Sequence, residues 1–94
     1  MPWWRGESLK ARDDAIRRLA EQHFGNLDLN SQADEILQTI RRYRRGRWRF
    51  DQSRECIPEY YVGTPSGLLY EAFRSGDGDV PESKRHLLRI LSAS

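Results

Sequence analysis

The densest chemistry in the chain lies in ten consecutive residues, Arg41-Arg42-Tyr43-Arg44-Arg45-Gly46-Arg47-Trp48-Arg49-Phe50. A guanidinium presents a planar fork of donors that grips phosphate or carboxylate in pairs and stacks on flat rings. Arginines that neutralise phosphates release condensed counterions, and that release drives nucleic-acid binding. Tyr43, Trp48 and Phe50 would stack on bases if they faced solvent. Arg, Trp and Tyr are also the residues enriched at protein–protein hot spots, so an acidic protein surface is the second candidate partner. A third reading puts the three aromatics in the core and pairs the arginines with acidic flanks. The candidate contact residues are Arg41, Arg42, Arg44, Arg45, Arg47, Trp48 and Arg49, with Arg85 and Arg89 as a second patch.

Charge distribution isolates this segment. The formal net charge of the 94 residues is +2. Residues 41–54 carry seven Arg and one Asp, for +6, while residues 1–40 and 55–94 carry −2 each. Fourteen of the sixteen basic residues are Arg, which favours paired recognition over diffuse attraction.

Other chemistries lack their parts. His23, His86 and Cys56 are scattered, whereas a structural zinc site needs four ligands, usually in closely spaced pairs. Asp77-Gly78-Asp79 is too short for a calcium loop, whose ligands span about twelve residues. Cys56 beside Ile57 reads as a small buried hydrophobe, because no histidine adjoins it in sequence to serve as a base. Gly63-Thr64-Pro65-Ser66-Gly67 lacks the lysine and spacing of a phosphate-cradling loop. No metal, cofactor or catalytic set is expected, and the chain reads as non-enzymatic. One cysteine allows no intramolecular disulfide, which fits a reducing compartment. No apolar run approaches the roughly 18–20 residues that span a bilayer. The expectation is a cytoplasmic protein without membrane contact; a homodimer is compatible with the sequence.

The elements that position these residues are mainly helical. Apolar periodicity predicts a small four-helix domain with helices at about 8–24, 31–45, 65–75 and 80–92. It forms one domain over 1–94, with residues 1–6 as a flexible arm. In the first helix, Leu9, Arg12, Ile16, Leu19, Ala20, His23 and Phe24 share one stripe. Asp13→Arg17 and Asp14→Arg18 are acid-first pairs four apart, and Gly25 suits a left-handed cap. The paired Trp3-Trp4 is expected to fold back on this helix, with a partner or a second copy as the alternative. Asn30 or Ser31 would cap the second helix. In that helix Ala33, Ile36, Leu37, Ile40 and Tyr43 face inward, and Arg41, Arg42 and Arg45 face outward. Arg44 and Arg47 fall near the apolar stripe.

Residues 47–51 alternate polar and apolar, and Glu59-Tyr60-Tyr61-Val62 is strand-like. A minor two-stranded hairpin within 47–62 therefore competes with an extended loop. Thr64-Pro65 starts the third helix. Asp79 with Glu82 has capping-box spacing for the fourth. The last two helices admit a helix-turn-helix reading, in which Lys84, Arg85, His86 and Arg89 face DNA. Two functions follow. One is a small non-enzymatic nucleic-acid-binding or regulatory protein. The other is a small adaptor or inhibitor, of the kind mobile elements or phages carry, that docks on a protein, for instance one in a nucleic-acid-processing complex.

Overall fold

The computed structural model describes residues 3–54, 58–76 and 78–92, and side chains from residue 9 onward. The element order is α1 Trp3–Phe24, α2 Leu29–Arg45, α3 Trp48–Asp51, a 3₁₀ turn Glu59–Tyr61, α4 Pro65–Ser75 and α5 Lys84–Ser92. The domain is mainly α, and no strand occurs among the described residues. Residues 48–51 and 59–61, expected as strand or loop, form helical turns instead. No helix among the described residues is long and apolar enough to cross a membrane.

Backbone polar groups explain most of the boundaries. The α1 backbone begins at Trp3, so residues 3–6, read as an arm, are helical; the Trp3 and Trp4 side chains lie outside the described residues. Gly25 follows α1 without the left-handed conformation expected of it. Its lack of a side chain still matters, since a Cβ there would sit 2.7 Å from the Glu21 carbonyl oxygen. Asp28, rather than Asn30 or Ser31, caps α2 by accepting from the Ser31 backbone N–H at 3.2 Å. The Ser31 side chain, with that backbone bond second, holds the Asp28 carboxyl below the usual aspartate range. Thr64 caps α4 through the Gly67 N–H, with Pro65 at the first helical position, as the sequence predicts.

The final helix starts at Lys84, later than the residue-80 boundary expected. Ser83, not Asp79, supplies the cap, its hydroxyl accepting from the His86 N–H at 3.2 Å. Val80 and Pro81 are buried in the connection, and the segment's carbonyls are taken by arginines from other helices. Gly78 makes the turn at φ +83°, a conformation that costs glycine little.

The core is continuous. α1 packs along α4 and α2 along α5, with α1 also touching α2 and α5. Ile16, Leu19, Ile36, Ile40, Phe73 and Leu87 are its largest fully buried apolar side chains. Phe73 of α4 joins three helices. Its ring lies 5.0 Å from Tyr43 of α2 and 5.1 Å from Trp48 of α3, and the Arg44 guanidinium sits over it at 5.0 Å.

Several arginines act as cross-links. Arg12, 6% exposed within the α1 stripe, donates to the Asp79 carbonyl at 2.9 Å and pairs with Asp13. Arg17 donates to the Ile90 carbonyl near the end of α5 and pairs with Asp14, three residues back. Arg18 reaches Glu71 of α4. The expected pairs Asp13→Arg17 and Asp14→Arg18 are replaced, because these longer reaches satisfy backbone acceptors or acids on neighbouring helices.

Arg44 makes the fullest use of its fork. It donates to the Gly78 carbonyl at 3.1 Å, the Val80 carbonyl at 3.0 Å and the Glu82 carboxylate at 3.0 Å. Arg44→Ala should lower unfolding free energy by about 2–3 kcal/mol, given the worth of charge-assisted hydrogen bonds. Arg45→Ala, one residue on, should change it by less than about 0.5 kcal/mol. Urea denaturation of the two variants checks the contrast.

Candidate functional site

The site is best built from Asp51, an acid 1% exposed in the middle of the arginine-rich segment. Such a carboxylate is tolerated only where donors replace its lost water. Three do so here. The Tyr43 and Tyr61 hydroxyls donate to Oδ2 at 2.8 and 3.0 Å, and Arg54 donates to Oδ1 at 2.9 Å. Arg47 in turn donates to the Tyr61 hydroxyl at 3.0 Å and lies over that ring. The Arg54 carbonyl accepts from Tyr70 at 2.8 Å and from Arg74, both on α4. Burial, reinforced by the bond to Asp51, pushes the Tyr43 hydroxyl well above the ordinary tyrosine range. The hydrogen bonds to Tyr61 and Asp51 raise the Arg47 and Arg54 guanidiniums respectively.

This polar hub explains why 47–51 is not a strand. A strand would send Trp48 and Phe50 to one face and leave Asp51 on the other. A helical turn places Trp48 and Asp51, three apart, inward together. Phe50 is left 70% exposed, although the alternation of polar and apolar residues would bury it beside Trp48 in a strand. Donors for the acid outweigh burial of one phenyl ring.

The arginines are thereby sorted. Arg44 is a cross-link, Arg47 a clasp on Tyr61, and Trp48 a half-buried anchor against Phe73. The guanidiniums of Arg41, Arg42, Arg45 and Arg49 are exposed and have no hydrogen-bond or ion-pair partner among the described residues. On α2, Arg45 follows Arg41 by one turn, about 6 Å along the axis, and Arg42 flanks both. With Gln38, Arg44 and Glu82 these three line an open groove of about 580 Å³. Tyr43, a candidate for stacking, is core.

Arg85 and Arg89 are exposed on α5 and do not line that groove. Lys84 is tied to Asp34 at 3.1 Å. α4 and α5 make no packing contact with each other among the described residues; α5 rests on α2 and α1. A helix-turn-helix needs its two helices packed together, so α4 and α5 do not form one. No group of three or more potential metal ligands occurs among the described residues, and Cys56 and Asp77 lie outside them.

A second depression, of about 550 Å³, opens beside the groove, with Phe24, Tyr43, Pro65 and Leu69 among its walls. Sequence reasoning missed it, since its walls come from three helices far apart in the chain. It also missed the hub. The available signal was Asp51 itself, the single acid among seven arginines.

No family model matches this chain, and no curated protein or solved structure matches it.

The hub makes two predictions. Asp51→Ala strands two buried hydroxyls and should cost about 3–4 kcal/mol in chemical denaturation. The second concerns pH. The folded state holds the Tyr43 proton while the unfolded chain releases it near 10, so this contribution is intact below about pH 10 and lost as pH rises toward the folded value. The stability difference between wild type and Tyr43→Phe should therefore shrink above about pH 10, as thermal melts across that range would show.

Proposed function

We propose that this is a small non-enzymatic nucleic-acid-binding protein that grips the phosphate backbone with the outer face of α2. The observation that carries the reading is the row Arg41, Arg42 and Arg45, exposed along one face with no partner among the described residues. A cation left unpaired on a fixed helix is presented to an anion outside the chain. Arg49, on α3, is exposed as well. Phosphate is favoured because a polyanion supplies closely repeated charges to a closely repeated row, and its counterions are already condensed.

A second reading rests on a different observation. Phe50, Tyr60 and Val62 are exposed at 70%, 68% and 68%. Exposed apolar side chains beside arginines also suit docking on an acidic protein, which keeps the adaptor or inhibitor reading as the alternative. Affinity capture with nuclease present separates the two, since a protein partner survives nuclease treatment and a nucleic-acid bridge does not.

Gel-shift titration at two ionic strengths tests the proposal. Binding should weaken steeply as salt rises. The triple variant Arg41→Ala, Arg42→Ala, Arg45→Ala should reduce the salt slope by about 3, one for each lost phosphate contact. Absence of binding at low salt would overturn the reading.

A further inference from the structure

Arg42 lines two depressions at once. One is the basic groove on the outer face of α2. The other is the cleft between α2 and α4, walled by Phe24, Tyr43, Pro65 and Leu69 and lined also by Arg47 and Glu35. The cleft's volume of about 550 Å³ lies within the range of small-ligand sites. Arg42 has no side-chain partner among the described residues, while Arg47 is fixed by its bond to Tyr61. An anion crossing from the groove to the cleft thus meets one adaptable guanidinium and one pre-positioned guanidinium.

Arg42 and Arg47 can hold one phosphate at the cleft, but Glu35 repels further anionic charge and the apolar walls cannot solvate it. A flat, uncharged ring with polar edges fits instead. The half-buried Phe24 and Pro65 offer apolar faces to it, over a floor of the buried Tyr43 and Leu69, and the Glu35 carboxylate can accept from an amino group on its edge, as acidic residues do with cytosine. Resting on the proposal that α2 grips a phosphate backbone, we infer that the bound nucleic acid is single-stranded and that one unstacked base enters the α2–α4 cleft. The phosphate beside that base bridges Arg42 and Arg47. A base within a duplex is stacked and paired, and a duplex would engage only the groove.

Fluorescence anisotropy tests this with labelled oligo(dC) of about a dozen nucleotides and a mixed-sequence duplex of equal length, at low salt. The single strand should bind about tenfold more tightly, the scale of one base stacked on protein. Ser66, on α4, lines the cleft, and Ser66→Trp fills it with a large ring while leaving every arginine in the chain; it should abolish the preference while duplex affinity persists. A second readout needs no variant: the Leu69 methyl signals in NMR spectra should shift on adding the single strand and stay in place on adding the duplex. Equal affinity for the two nucleic acids with unmoved Leu69 methyls would overturn the base-cleft inference and leave the phosphate-gripping proposal standing. Failure of both nucleic acids to bind would overturn both. If Ser66→Trp does not fold, the Leu69 shifts decide.

Discussion

A carboxylate with almost no access to water must be solvated by the protein itself, and the arrangement around Asp51 follows from that constraint. Tyr43, Tyr61 and Arg54 are brought to it from α2, the 3₁₀ turn and the residues just after α3. Meeting that demand coils residues 48–51 into a helical turn, draws Arg47 onto Tyr61 and docks the Arg54 carbonyl against α4. A buried acid of this kind specifies one arrangement, because few alternative packings supply three donors at the same place.

An apparently uniform arginine run is divided by function. Arg44, Arg47 and Arg54 spend their donors inside the molecule, joining α2 to the segment before α5 and the 3₁₀ turn to Asp51. Arg41, Arg42 and Arg45 have no internal use for theirs and lie on the opposite side of α2 from its core residues Ile36, Ile40 and Tyr43. The +6 segment is therefore both a structural cross-link and a presented cationic face. The division is a consequence of helical phase: Tyr43 and Arg44 fall inward, and Arg41, Arg42 and Arg45 fall outward.

Much of this was legible from residue order. α2 follows from its apolar period, though its cap is Asp28 and not Asn30 or Ser31, and α4 follows from both period and cap; their ends at Arg45 and Ser75 agree with the sequence expectation. The inward placement of Arg12 was also legible, because it falls on the apolar stripe of α1; Arg44, near the α2 stripe, is half-buried, whereas Arg47, also expected near it, is exposed beyond the end of α2. What was not legible depends on partners remote in sequence. The start of α5 is delayed because Arg12 and Arg44 hold the carbonyls of residues 78–80, an effect that no local capping pattern contains. The turn at 48–51 is decided by Tyr61, ten residues beyond Asp51, against the local alternation of apolar residues. The α2–α4 cleft exists only once Phe24, Tyr43 and Leu69 meet. The helix-turn-helix reading failed because α4 and α5, adjacent in sequence, pack on different partners.

The sorting of the arginines can be read directly from their Nε–H resonances. In the structure the Nε–H groups of Arg12, Arg17, Arg44 and Arg54 each donate a hydrogen bond. NMR observation of the free protein should show these four protected from exchange with water. Titration with an oligonucleotide should move the Nε–H signals of Arg41, Arg42 and Arg45 and leave the four protected signals in place. Uniform exchange across all arginines, or equal movement of Arg44 and Arg54 with the α2 face, would show that the arginines are not divided in this way.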